Sequence, residues 1–259
     1  MGRMCKADMV DRGIEVERFH EALEVVDRNR KRIGIGTQSE RTVHAVLKHF
    51  YEPDEDHHEI PIGKFIADIY RDKRIIEVQT KQLFRLKDKL TCFLEQEHCQ
   101  VTVVHPIVEE KWVIKLDETT GEQISRKKSP RKGKEYDAFP ELYGIKGFLK
   151  HPCLHIKIVL IQAEEYRIPS DEGKYRRKGF ERIDTVPISI LKEIELHCAN
   201  DYMQFIPYGL DEFTVLEFAK EAGISKYVAQ YVIHILYHVG MITRIGKKAN
   251  AYVYKVLDI

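Results

Sequence analysis

Apolar residues recur with a helical period in two segments near the start of the chain. Residues 14–32 ("IEVERFHEALEVVDRNRKR") place apolar side chains along one stripe, which predicts an amphipathic helix. Glycines in "IGIGTQ" indicate a loop after it, and Ser39 is suited to cap a second helix over residues 40–52. Pro53 and the acidic run that follows it end this second helix.

Alternation of apolar and polar positions replaces the helical period after residue 57. It predicts strands at "HEIPIG", "KFIADIY", "RIIEVQT" and "QVTVVHPIV", with a helix over residues 81–97 between the last two. A hairpin around Gly121, a helix over residues 139–149 and the strand "LHIKIVLIQAEEY" follow. Helices and antiparallel strands in this order indicate an α/β or α+β domain that ends near Tyr166.

The pattern changes again in the last third of the chain. Residues 169–182 are polar and basic and contain two glycines, so they indicate a linker. Residues 189–198 ("SILKEIELHC") predict a helix, Thr214 and Ser225 are placed to cap two more helices around Gly223, and "MITRIGKKANAYVYKV" predicts a hairpin. The predicted organisation is an N-terminal helical segment (1–36), a main domain (37–168), a basic linker (169–184) and a C-terminal domain (185–259).

Composition narrows the class of protein without fixing it. The chain has 259 residues, 43% of them hydrophobic, which is enough for one large core or two smaller ones. The formal net charge is +1, so no global field indicates a nucleic-acid partner. Five cysteines without paired spacing favour reduced thiols over disulfides or a zinc site. We expect a soluble, cytoplasmic protein without membrane contact, and no phosphate loop that would indicate a nucleotide cofactor.

Two acids interrupt the apolar pattern of adjacent strands. Asp68 lies late in one strand, Glu77 lies late in the next, and the short turn "YRDK" makes these strands antiparallel neighbours. Strand alternation then directs both carboxylates, and Gln79 after them, to one face. Carboxylate oxygens bind Mg²⁺, so the pattern predicts a metal site. The alternative is an exposed hairpin in which Glu77 pairs with Arg74.

The stretch "ADIYRDKRIIEVQTK" resembles the core of the PD-(D/E)xK nuclease superfamily, which includes type II restriction enzymes and Holliday-junction resolvases. The resemblance covers roughly residues 37–115. It implies a restriction-endonuclease-like mixed sheet flanked by helices, and metal-dependent cleavage of phosphodiester bonds in DNA. Asp68 matches the first acid of the motif, Glu77 matches the second, and Glu40 is the best match for the acid that the preceding helix often supplies.

The chain departs from this family at one position, because Gln79 stands where the motif has lysine. Some restriction enzymes of the family carry Glu-x-Gln there and remain active. Lys81 is the first candidate to supply the missing cation, and Lys64 is a weaker one. The resemblance therefore implies a Mg²⁺ (or Mn²⁺) endonuclease with Asp68, Glu77 and Gln79 as ligands, assisted by Glu40 and Lys81. Nucleases of this kind often dimerise, so a homodimer is one expected assembly.

Two clusters of basic residues interrupt a nearly neutral chain, one at 125–134 and one at 174–182. Such clusters can hold a nucleic-acid backbone, although a charge run is more commonly a solvated surface loop. The predicted contacts are Arg126, Lys127, Lys128, Arg131, Lys132, Arg176, Arg177 and Lys178.

The C-terminal pattern resembles a winged helix, a fold whose second helix enters the DNA major groove while its hairpin touches the backbone. The predicted DNA contacts are Lys226, Tyr227, Gln230, Arg244, Lys247 and Lys248. Winged helices also serve as dimerisation or docking modules. Two alternatives stay open beside the nuclease: a non-enzymatic DNA-binding regulator with a degenerate nuclease-like domain, and a docking subunit that binds RNA or an acidic partner.

Overall fold

A computed structural model of the chain describes residues 6–33, 41–170 and 179–257. The chain separates into two compact units, each assembled from three segments of the sequence. The first unit contains Met1–His58, Val108–Gly133 and Leu160–Lys192, and the second contains Glu59–Ile107, Lys134–Val159 and Glu193–Ile259.

The α-helices of the described residues vary from one turn to 28 residues. They are α1 (Lys6–Ile33), α2 (Arg41–Tyr51), α3 (Lys87–Thr91), α4 (Phe139–Leu142), α5 (Val215–Glu221) and α6 (Lys226–Val239). Short 3-10 or π turns extend two of them: Leu83–Leu86 precedes α3, Cys92–Gln96 follows it, and Tyr143–Phe148 follows α4. The predicted helix over 81–97 is thus helical from Leu83 to Gln96, with 3-10, α-helical and π-helical turns in succession.

The strands form two sheets in a mixed α+β fold, with a large mixed sheet flanked by helices. The strands of the large sheet are β1 (His58–Ile62), β2 (Phe65–Arg71), β3 (Arg74–Val78), β4 (Gln100–Leu116), β5 (Gln123–Lys128), β6 (Leu154–Ser170) and β7 (Gly179–Leu196). Their order is β1-β2-β3-β4-β6-β7, and β5 pairs with β4. The pairing is antiparallel between β2 and β3 and parallel between β3 and β4.

Helices α1 and α2 contribute an apolar cluster to the first unit. Phe19, Ala22 and Val26 of α1 pack with Val46 and Phe50 of α2. The Phe19 and Phe50 rings meet edge to face at 5.9 Å between centroids. The predicted helix over residues 14–32 is confirmed, and it begins eight residues earlier than the apolar stripe indicates.

A two-residue turn fixes the register of the β2–β3 hairpin in the second unit. Asp72 and Lys73 both adopt left-handed backbone conformations, with φ of 50° and 61°. This geometry matches the right-handed twist of the flanking strands, which is why it is common in tight hairpins. Tyr70 therefore pairs with Ile75, and Ile69 pairs with Ile76.

The predicted helix over residues 189–198 is wrong, since residues 179–196 form β7 of the large sheet. Ile190 and Ile194 have a spacing that suits both a helix face and one face of a strand, whereas Leu196 shares a face with them only in a strand, and pairing in the sheet selects the strand. The predicted linker also differs, because Pro169 and Ser170 belong to β6 and residues 179–184 belong to β7.

The C-terminal residues of the second unit form a compact helical and hairpin module. Strands β8 (Glu212–Thr214), β9 (Ile242–Lys248) and β10 (Ala251–Val256) make a sheet in the order β8-β10-β9. Both predicted helix caps are confirmed. The Thr214 hydroxyl accepts the Glu217 N–H, and the Ser225 hydroxyl accepts the Val228 N–H. Gly223 lies between the two helices with φ of +60°, as a tight turn there requires.

Candidate acidic site

Asp68 and Glu77 lie side by side on the neighbouring strands β2 and β3. Continuing the observed register by one pair sets them directly opposite each other. The Asp68 N–H donates to Oε1 of Glu77 at 3.1 Å, and the Val78 N–H donates to Oδ2 of Asp68 at 2.9 Å. Each carboxylate therefore accepts a backbone hydrogen bond from the other strand, and the two negative charges are held close together.

Glu77 is buried, with 2% of its surface exposed. On its other side it pairs with Val103 of the parallel strand β4, which is fully buried. Burial, and after it the charge of Asp68, raise the pKa of Glu77 to about 8 even though Lys89 opposes both. A carboxyl group in this setting binds a proton near neutral pH unless a cation stabilises its charge.

Lys89 is the cation that reaches Glu77, and the sequence analysis did not identify it. Its Nζ lies 2.5 Å from Oε2 of Glu77, and its side chain is 18% exposed. Helix α3 positions it three residues after Leu86 and four before Phe93, both of which are buried. That helical spacing is a signal in the sequence, because it puts a lysine on the face that packs against the sheet.

The other predicted members of the site lie elsewhere or are directed differently. The Gln79 side-chain amide donates to the Lys81 carbonyl at 2.5 Å, so it is turned along the chain. Lys81 and Lys64 are exposed. The alternative pairing of Glu77 with Arg74 is replaced by the contact with Lys89. Glu40 lies outside the described residues.

His105 stabilises the end of β3 from the adjacent strand. It is 1% exposed, and its Nδ1 lies 2.7 Å from the Gln79 carbonyl, to which it donates. Burial lowers the pKa of His105, so the ring is neutral at neutral pH. Glu141 accepts the Leu83 N–H at 3.0 Å, which secures the turn that leads into α3.

The two carboxylates can bind a hard divalent cation, but they supply only a small part of its coordination shell. Two carboxylates are available, and Mg²⁺ is commonly held by one or two carboxylates together with waters. Within 6–33, 41–170 and 179–257, no group of three or more histidine, cysteine or acidic side chains is arranged to hold a metal ion. Waters or substrate oxygens would therefore complete the coordination.

Three of the five predicted basic contacts that the structure describes in the first unit are paired with acids of β4 and β6. Arg126 pairs with Glu164 at 2.9 Å, while Lys128 and Lys132 share Glu110 at 2.8 and 2.9 Å. Hydrogen bonds from these two lysines lower the pKa of Glu110 to about 2. Lys127 and Arg131 are exposed, and Arg176, Arg177 and Lys178 lie outside the described residues.

The predicted C-terminal contacts lie at the surface of the second unit. Lys226, Tyr227 and Gln230 are exposed on α6, and Arg244 and Lys247 are exposed on β9. Lys248 is also exposed, but it pairs with Glu217 at 3.3 Å.

Comparison with known proteins places the chain in a family without an assigned activity. The chain belongs to the family described as "Domain of unknown function (DUF8091)", which matches residues 41–197. This match begins at α2 and ends just after β7, so it covers the large sheet and stops before the C-terminal module.

A protein of Treponema pallidum (strain Nichols), described as "Uncharacterized protein", is 27% identical over 222 residues, covering 85% of this chain and 87% of that protein. No solved structure matches the chain. No helix among the described residues combines the length and apolarity needed to cross a bilayer.

Proposed function

We propose that this protein is a metal-dependent nuclease that hydrolyses phosphodiester bonds in DNA, with a C-terminal winged helix that positions the substrate. The observation that supports this best is the pair of acids on adjacent strands, with reciprocal backbone hydrogen bonds and a lysine against the buried member. An isolated buried carboxylate is costly, and a second one beside it is costlier, so such a pair calls for a cation.

In this proposal Asp68 and Glu77 hold Mg²⁺ or Mn²⁺. When bound, the ion lowers the pKa of a coordinated water and stabilises negative charge on the phosphate. Lys89 takes the part of the motif lysine in place of Gln79. Its ammonium group balances the charge of the Glu77 carboxylate. His105 keeps the end of β3 in place through the Gln79 carbonyl.

The test is cleavage of labelled DNA by Asp68→Asn with Mg²⁺ or Mn²⁺ present. The asparagine side-chain oxygen can still accept the Val78 N–H, so the hairpin is retained while a metal-binding charge is lost. We expect cleavage to fall by about 100-fold or more. Asp72→Asn is the matched control, since Asp72 is an exposed acid in the same hairpin and asparagine tolerates its backbone conformation. Unchanged cleavage by Asp68→Asn would refute the proposal.

A second candidate is a non-enzymatic DNA-binding protein whose acidic pair has become structural. The 2.5 Å contact between Lys89 and Glu77 favours it, because an ammonium group can neutralise this carboxylate without a metal. Thermal unfolding with and without Mg²⁺ or Mn²⁺ separates the two candidates. An ion that binds the folded state raises the melting temperature, and that increase should disappear in Asp68→Asn.

A further inference from the structure

The sequence between Ala222 and Leu257 contains no aspartate or glutamate. It carries five lysines and arginines in a chain whose formal net charge is only +1, so the remaining residues hold more acids than bases. Two of the five, Lys248 and Lys255, pair with acids of other segments. The concentration of positive charge in this segment makes it suitable for a polyanion.

Helix α6 presents a single exposed stripe at this segment. Tyr227, Gln230, His234 and Tyr237 follow each other at helical spacing and are all exposed, with Tyr227 at 59% and Tyr237 at 49%. The opposite face of the helix is buried, so the stripe has no part in the core. The Tyr227 ring is supported by an edge contact with the Tyr231 ring at 5.0 Å.

The β9–β10 hairpin continues this stripe with cations held over an aromatic ring. The Arg244 guanidinium carbon lies 3.7 Å from the centroid of the Tyr252 ring, and Lys247 Nζ lies 4.8 Å from it. Arg244 also lies 5.8 Å from the Tyr237 ring, so the hairpin and the end of α6 meet at this residue. Cation–π contact orients Arg244 and Lys247 at the surface without neutralising their charges, as a salt bridge would.

We propose that these six residues (Tyr227, Gln230, Tyr237, Arg244, Lys247 and Tyr252), which we call the tyrosine surface, bind single-stranded DNA. Unpaired bases stack on Tyr227 and Tyr237 while Arg244 and Lys247 contact phosphates. Reading a duplex would require several amide or cationic side chains aimed at base edges, whereas α6 offers Gln230 and Lys226. Exposed rings are useful to a ligand whose bases are unstacked. The proposal deepens the nuclease proposal, because it names the form of DNA that the site would receive.

Fluorescence anisotropy with the full chain tests the proposal, using EDTA to exclude metal and cleavage. The probes are a labelled oligothymidylate strand, a duplex of the same length and an abasic phosphodiester strand. We expect the oligothymidylate to bind most tightly. Tyr227→Leu and Tyr237→Leu should each weaken its binding about tenfold, since stacking on one ring contributes on that order. Arg244→Ala and Lys247→Ala should each reduce the salt dependence by about 0.7 in log–log slope.

Two control variants separate stacking from general surface effects. Tyr227→Phe keeps the ring and should retain affinity. Tyr208→Leu removes a fully exposed tyrosine of the same unit that lies outside the tyrosine surface, and it should change nothing. With the unaltered chain, a bromodeoxyuridine strand should photocrosslink to Tyr227 or Tyr237, which requires no variant.

Three results would overturn the proposal: equal affinity for the duplex, equal affinity for the abasic strand, or crosslinks confined to other residues. The first would indicate a duplex-binding module, and the second would indicate phosphate contact alone. None of these three results would contradict the proposed metal site at Asp68 and Glu77, because no step of this experiment involves cleavage. Conversely, full cleavage by Asp68→Asn would leave the binding result standing.

Discussion

Glu77 is stabilised in its buried position by groups that come from two other elements, β2 and α3. The Asp68 N–H reaches one carboxylate oxygen across the hairpin, and Lys89 reaches the other from α3. Neither group fully offsets burial and the charge of Asp68, and so the pKa of Glu77 stays raised to about 8. The titration of this one residue therefore links the stability of the fold to pH.

We expect Glu77→Gln to flatten the dependence of stability on pH between about pH 4.5 and 8. The folded protein holds a proton on Glu77 that the unfolded chain releases near its ordinary pKa of 4.5, so stability falls as pH rises through this window. Glutamine does not titrate, so the variant should not lose stability over this pH range. Urea unfolding at a series of pH values measures the free energy of unfolding, and Glu95→Gln, which changes an exposed acid, is the control. Parallel curves for Glu77→Gln and the unaltered protein would contradict the assignment.

Lys89→Met should lower the free energy of unfolding by about 1–3 kcal/mol above pH 8, where Glu77 is charged. The loss should be smaller near pH 6, because a neutral Glu77 needs the cation less. Lys87→Met, an exposed lysine on the same helix, serves as the control. In the nuclease proposal Lys89→Met also reduces cleavage, and cleavage at the unaltered rate would remove Lys89 from the catalytic role.

At the scale of elements, the β2–β3 hairpin and β7 show what local pattern can and cannot specify. The turn at Asp72 and Lys73 is local, and alternation within the hairpin is enough to put both acids on one face. In β7 the spacing of Ile190 and Ile194 suits a helix as well as a strand, so the place of β7 beside β6 in the sheet decides between them. The hairpin could therefore be predicted from sequence, whereas β7 could not.

Lys73→Gly should raise the free energy of unfolding by roughly 0.5–1 kcal/mol. Lysine has a side chain that crowds the backbone at φ of 61°, and glycine adopts this conformation without that cost. Lys64→Gly is the control, since Lys64 is exposed and outside the set of described residues with positive φ, so glycine there should be neutral or destabilising. Chemical denaturation measures both, and destabilisation by Lys73→Gly would contradict the turn geometry.

At the scale of the whole molecule, the distribution of charge differs from what the runs of basic residues indicate. The cluster at 126–132 is rich in cations but is largely paired with acids of adjacent strands. The segment from Ala222 to Leu257 also has five cations, and it contains no acids. Affinity for a polyanion depends on uncompensated charge, so the second region should contribute more.

The double variant Lys128→Ala and Lys132→Ala should change the affinity for single-stranded DNA by less than about threefold, because both ammonium groups are held by Glu110, which offsets one of their two charges. The double variant Arg244→Ala and Lys247→Ala removes the same number of charges and should weaken binding by about tenfold or more. Anisotropy in EDTA at one salt concentration compares them. A larger loss of affinity in the Lys128 and Lys132 double variant than in the Arg244 and Lys247 double variant would indicate that the basic cluster is the main DNA contact, as the sequence first indicated.

The sequence by itself determined the features that depend on neighbours along the chain: the strand alternation that aligns Asp68 with Glu77, and the caps at Thr214 and Ser225. Tertiary structure decided which cation contacts Glu77, which acids pair with the basic cluster and whether residues 189–196 form a strand or a helix. The physical reason is that a hydrogen bond within a turn is fixed by a few dihedral angles. The salt bridges of Glu77 and of the basic cluster, and the place of β7 in the sheet, join segments that lie farther apart in the sequence, so they form only when the fold brings those segments together.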